Sequence, residues 1–190
     1  AHLPYSRMNL TRYLAGEVNL DKLDLHPQSW YQENQIELYL NSPVIELDPK
    51  QKIVRLADGR EFAYDTLLLT NGAHPFVPPI AGAQTAGVQT LRTLEDANAI
   101  LAAMAQPINV VCIGGGLLGL EVAGAISRRG AKVTVVESLA WLLPRQLDEA
   151  ASHILQAKIE AMGIQVIVGA RTQAFVGDGH VRAVHLEDGR

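Results

Sequence analysis

The sequence predicts an α/β fold: a doubly wound domain on a parallel sheet, preceded by a smaller part that holds a β-meander. Three observations carry this. Residues 109–137 read as strand, glycine turn, helix and strand in that order. A second helix and an apolar strand follow, over 148–162 and 164–168. Ahead of them, three short β-rich runs lie within residues 44–63, separated by turn residues.

Taken in order, residues 9–16 read as a short helix stopped by Gly16. Residues 27–35 read as another, with Pro27 near its first turn. Residues 36–40 alternate apolar and polar, which predicts a strand. The meander has strands at 44–47, 52–56 and 61–63, turned by Asp48-Pro49-Lys50 and by Asp58-Gly59. Residues 66–69 are continuously apolar and predict a central strand, ending at a turn over 70–73. Residues 75–82 carry three prolines and read as an extended linker. This places a domain boundary between 1–84 and 85–190.

Residues 94–105 predict a helix, with Thr93 as N-cap and Glu95 and Asp96 in the first turn. Pro107 separates it from the β-branched run 109–113, and an alanine-rich helix over 117–129 ends at Gly130. Residues 132–136 are the next strand, closed by Glu137. In the helix over 148–162, Ala151, Ile154, Leu155, Ile159 and Met162 make the expected apolar face, and Gly163 caps it. A hairpin over 172–186 turns at 177–179. The chain stops on a further turn, which predicts a doubly wound domain truncated at its C-terminus.

The turn after the first of these parallel strands reads Gly114-Gly115-Gly116-Leu117-Leu118-Gly119. A strand before it, a helix after it and an acid about 20 residues on make it a Rossmann-like dinucleotide turn. Gly114 permits the tight exit from the strand. Gly116 has no Cβ, so a pyrophosphate can approach the backbone. Gly119 lets the helix pack close to the sheet. The helix N-terminus offers N–H groups and a partial positive charge to the phosphates. Glu137 can accept from both ribose hydroxyls and repels a 2′-phosphate, so NADH is favoured over NADPH. An arginine at 137 is then expected to reverse that preference. The plain alternative is a glycine-rich turn with no ligand.

Composition excludes several classes. The chain has 190 residues, 48% of them hydrophobic, and a formal charge of −4, with no basic footprint for nucleic acid or an anionic membrane. The longest apolar stretch, 110–120, is too short to span a bilayer and contains four glycines. One cysteine, Cys112, lies inside a predicted buried strand and reads as a small hydrophobe. The six histidines show no metal-ligand spacing. A cytoplasmic protein, with a homo-oligomer left open, is the expectation.

Four stretches together resemble the pyridine nucleotide–disulfide oxidoreductase class of flavoproteins, in its rubredoxin reductase, ferredoxin reductase and NADH-dependent nitrite reductase branch. Gly114 to Gly119, followed by Leu120-Glu121, is similar to the family's NAD turn with its glutamate. Tyr64-Asp65-Thr66-Leu67-Leu68-Leu69-Thr70-Asn71-Gly72-Ala73 resembles a strand and turn that touch FAD, with Asn71 where threonine is usual. Leu91-Arg92-Thr93-Leu94-Glu95-Asp96-Ala97 resembles the segment after the domain crossover, and Pro4-Tyr5-Ser6-Arg7 the piece after the first FAD unit. The resemblance implies a partial FAD-type domain over 1–84 and an NAD(H) domain over 85–190. It implies NADH contacts at Gly114, Gly116, Leu117, Leu118, Gly119 and Glu137. It places Glu121 near the nicotinamide and flavin, as a candidate catalytic residue. It implies FAD contacts at Arg7, Val44, Thr70, Asn71, Gly72 and Arg92. Glu121 also reads as a helix-dipole residue, and Arg7 and Arg92 as surface charges.

The family's first glycine turn and its flavin-binding aspartate have no counterpart in this sequence. The expectation is an internal piece of a longer NADH-dependent FAD oxidoreductase, itself inactive and a poor FAD binder. It would pass electrons to a partner protein or domain such as rubredoxin, ferredoxin or a nitrite reductase centre. Residues 5–10 lack the reactive cysteine of the thiol-dependent branches. An NADH oxidase or coenzyme A disulfide reductase type enzyme, and a non-catalytic dinucleotide-binding module, are the alternatives.

Overall fold

A computed structural model describes residues 2–190. The chain forms two compact units. One takes in Asp24–His74 with the described residues up to Ser6; the other takes in Arg7–Leu23 and Pro75–Arg190.

The smaller unit is built on an antiparallel meander, β1 (Val44–Asp48), β2 (Ile53–Leu56) and β3 (Glu61–Ala63). Asp48 sets the first turn: its Oδ1 accepts from the N–H groups of Lys50 and Gln51, both at 2.9 Å. Gly59, at φ +87°, makes the second. Arg55 ties the three strands together, donating to Glu46 at 2.8 Å and to Glu61 at 2.5 Å. Residues 36–40 are not a strand. Gln35 (φ +57°) turns the chain out of the preceding short helix Gln28–Glu33, and Tyr39 is held by side chains instead, against Phe62 (4.9 Å between centroids) and under Arg60. Residues 66–69 are irregular too, and Leu68 is 82% exposed. A strand needs neighbours to satisfy its N–H and C=O groups, and an apolar run alone does not supply them.

The larger unit carries the parallel sheet. A 3₁₀ turn at Arg7–Asn9 leads into α1 (Leu10–Ala15), which buries Leu10 and Leu14 and ends at Gly16 in the left-handed region (φ +77°). After α2, the Gln28–Glu33 helix of the smaller unit, comes α3 (Leu94–Ala103), which starts from a capping box. Thr93 Oγ1 accepts from the Asp96 N–H, and Asp96 accepts from the Thr93 N–H. Then follow β4 (Asn109–Ile113), α4 (Leu117–Arg128), β5 (Lys132–Val136), α5 (Glu149–Ala161) and β6 (Gln165–Ile167). The strands are parallel in the order β4-β5-β6, with Cys112 opposite Val135 and Val135 opposite Val166. Ala123 and Ile126 of α4, Val133 and Val135 of β5, and Leu142, Ile159 and Ile164 form the core. The face of α5 is rotated from the expected one. Ser152, Leu155 and Ile159 turn inward, whereas Ile154 and Met162 are exposed. Serine at 152 hides the true face from a reading by hydrophobicity.

The hairpin β7 (Thr172–Val176) and β8 (Ala183–Leu186) anchors the crossover segment. Phe175 N–H donates to Ala81 C=O at 2.8 Å, and Val181 N–H to Ala86 C=O at 2.7 Å. Gly82 between them has φ +78°, and a Cβ there would lie 2.1 Å from the Phe175 carbonyl oxygen. Gly82→Ala is therefore expected to destabilise the chain by about 2 kcal/mol or more, read from the urea midpoint, through backbone strain plus the clash.

Candidate dinucleotide site

The site grows from the end of β4. Gly114 has φ +104°, a conformation that favours glycine, and its N–H still donates to Val136 C=O at 2.8 Å. The chain therefore leaves the strand sharply while staying bonded to β5. Gly116 is the N-cap of α4, extended (φ −78°, ψ 175°) and with no side-chain cap. A Cβ at Gly116 would meet nothing within 4 Å, so its missing side chain leaves open space beside the helix N-terminus. A Cβ at Gly119 would lie 2.1 Å from the Gly114 carbonyl oxygen. That glycine is what allows α4 to close onto the turn. Leu117 and Leu118 at the start of α4 are exposed. The first turn of a helix has N–H groups without helical partners, and the macrodipole adds positive charge there.

Glu137, at the end of β5, is only 8% exposed. Its Oε2 accepts from the Gly115 N–H at 2.7 Å. Its Oε1 accepts from the Leu139 N–H at 2.8 Å and the Ser138 hydroxyl at 3.2 Å. Gly114, Gly116, Leu117, Leu118, Gly119 and Glu137 thus form one constellation, locked by the carboxylate itself. The sequence pattern assigns no role to the middle glycine, Gly115, yet a Cβ there would meet Leu142 Cδ2 at 2.4 Å and Glu137 Cβ at 3.0 Å. Three consecutive glycines were the available signal. The loop after Glu137 also closes on the turn, because Leu143 N–H donates to Gly115 C=O at 3.2 Å.

Glu121 is exposed and lies in the second turn of α4. The dipole effect fades beyond the first turn, so the dipole is a weak reason for an acid there. Its Oε2 accepts from Thr11 Oγ1 of α1 at 3.4 Å. Among the residues expected to touch FAD, Arg7 and Arg92 belong to the larger unit, and Val44, Thr70, Asn71 and Gly72 to the smaller. Arg7 is exposed at the opening of the 3₁₀ turn. Arg92 has a buried Nε with no hydrogen-bond partner, a donor that suits an anionic ligand. Val44 opens β1 and is exposed; Thr70, Asn71 and Gly72 form an exposed, irregular turn with Gly72 at φ +73°.

Cys112 sits in β4 against the core, and burial pushes its thiol from 9.0 up to about 11. At pH 8 only about one molecule in a thousand is then thiolate. Iodoacetamide is expected to label it slowly in the native chain and rapidly in denaturant. A raised folded value means that its stabilising contribution is full below pH 9 and lost as pH rises towards 11. Among the described residues, no group of three or more His, Cys, Asp and Glu side chains could hold a metal, and no helix is long and apolar enough to cross a membrane.

Comparison with known proteins identifies the family. The family model for pyridine nucleotide-disulphide oxidoreductases matches residues 1–190. The chain is 37% identical over 188 residues to a nitrite reductase (NAD(P)H) of Bacillus subtilis, covering 99% of this chain and 23% of that protein. It is 35% identical over 188 residues to a rubredoxin-NAD(+) reductase of Ectopseudomonas oleovorans, covering 98% of this chain and 49% of that protein. The ferredoxin reductase for the CYP199A2 system from Rhodopseudomonas palustris superposes with a TM-score of 0.91 at 29% identity, over 100% of this chain and 47% of that one. The chain spans less than half the length of each of these. With a single family model covering its whole length, the chain belongs to the pyridine nucleotide–disulphide oxidoreductase family.

Proposed function

We propose that this chain is the electron-entry part of an NADH-dependent FAD oxidoreductase. In this reading, residues 85–190 bind NADH and residues 1–84 are part of an FAD-type domain. Gly114, Gly116, Leu117, Leu118 and Gly119 receive the pyrophosphate, Glu137 receives the adenine ribose, and Glu121 lies at the nicotinamide end. Arg7, Val44, Thr70, Asn71, Gly72 and Arg92 would hold FAD. A bound FAD supplies the conversion of a hydride into single electrons, which then pass to an iron–sulfur or haem-type partner. Rubredoxin, ferredoxin and a nitrite reductase centre are the partner classes. The buried Arg92 Nε supports an anionic group near the crossover. Cys112, whose thiol burial holds in the protonated form, gives no support to a thiol-dependent route within these residues.

The observation that carries the reading is the pairing of an open Gly116 with a buried, hydrogen-bonded Glu137 across one turn. A buried carboxylate cannot easily move away from a 2′-phosphate, and the repulsion is strong in a site shielded from water. Calorimetry is expected to show NADH binding at least about tenfold tighter than NADPH, ~1.4 kcal/mol. Equal affinities would sink the ribose role of Glu137.

A further inference from the structure

We propose that Thr11 is a positioning residue that orients the Glu121 carboxylate towards the nicotinamide end of the dinucleotide site. This rests on the reading of Glu121 given above. The two residues are 110 positions apart, and Thr11 Oγ1 donates to Glu121 Oε2 at 3.4 Å. The contact is long for an O–H···O bond.

What makes Thr11 a credible support is how firmly α1 is held. Arg129, just past the end of α4, donates from Nε to the Leu14 carbonyl at 2.7 Å, at the C-terminus of α1. Its guanidinium lies across Gly16, where a Cβ would come 2.9 Å from Nη2. Glu17 pairs with Arg128 of α4 and, at 3.2 Å, with Arg12. On the side of α3, Tyr13 donates to Asn98 Oδ1 at 3.0 Å. Leu10 and Leu14 are buried beneath. One helical turn is thus pinned at its end, its flank and its base, and Thr11 is the residue it sets against Glu121. Threonine suits the task, because its hydroxyl can donate and its β-branch limits χ1 to two main rotamers in a helix. Glutamate needs such a support, because an exposed Glu side chain otherwise samples many rotamers. Held by Thr11, the carboxylate can accept from the carboxamide N–H of a nicotinamide.

The test is calorimetry on the full chain with two probes, NADH and ADP-ribose, which lacks the nicotinamide. Thr11→Val is expected to weaken NADH about fivefold, as the loss of one hydrogen bond predicts, and to leave ADP-ribose unchanged. Thr11→Ser should restore most of the loss. In a Glu121→Ala background, which removes the acceptor, Thr11→Val should add little. Unchanged NADH affinity in Thr11→Val overturns the proposal, as does equal weakening of both probes, which marks a merely structural role. Unchanged NADH affinity in Glu121→Ala overturns it through the Glu121 reading while the dinucleotide site stands. A wild-type chain that binds neither probe overturns the dinucleotide reading, and this inference with it.

Discussion

Gly116→Leu is expected to lower NADH affinity by more than about a hundredfold, ~2.8 kcal/mol, while leaving the fold close to intact. The two effects separate because of where the missing side chain points. A Cβ at Gly116 meets no atom within 4 Å, and the residue's φ of −78° suits any amino acid. The folded chain has room for leucine, at a cost of no more than about 1 kcal/mol for a poorer N-cap. The ligand does not have that room, because the side chain would occupy the space by which a pyrophosphate reaches the first N–H groups of α4. Thermal denaturation and calorimetry on the same sample measure both halves. Gly119 is the contrasting position: its Cβ would strike the Gly114 carbonyl, so substitution there damages fold and binding together.

Glu137→Arg is expected to destabilise the chain by about 2–4 kcal/mol, because removing the carboxylate strands two backbone donors. The Gly115 and Leu139 N–H groups both depend on it, and the side chain is buried against Leu142 and the glycine turn. An arginine at the end of β5 would favour a 2′-phosphate if charge alone mattered. The structure adds a second consequence, since the same carboxylate shapes the loop proposed to receive the pyrophosphate. NADH and NADPH affinities should therefore both fall. Glu137→Gln keeps an acceptor for the Gly115 N–H and removes the charge, so it should hold the fold and bring the two affinities together. Urea unfolding and paired calorimetric titrations distinguish the variants. Improved NADPH binding by Glu137→Arg at unchanged stability would contradict the locking role.

The parts legible in the sequence were those where local chemistry and burial agree. The glycine turn, its acid, the N-cap at Thr93 and the three parallel strands all follow from residues near one another in the chain. The meander was legible for the same reason, because Asp48 and Gly59 set its turns locally. Residues 66–69 were misread because an apolar run reports what a strand would bury, not whether a neighbouring strand exists. Residues 36–40 failed likewise: no strand pairs with them, Ile36 and Leu40 are exposed, and Tyr39 is held by Phe62 and Arg60. In the site, the role of Gly115 was hidden because its constraint comes from Glu137 and Leu142, more than 20 residues on. The Thr11–Glu121 contact had no sequence signal, since it depends on α1 packing against α4.

The first turn of α4 is proposed to receive the pyrophosphate of NADH. An amide NMR titration of the full chain tests it most directly. Saturable shifts are expected, centred on the N–H groups of Gly115, Gly116, Leu117 and Leu118, with smaller ones at Leu139. Saturable shifts that leave those amides in place and gather elsewhere in the chain would contradict it.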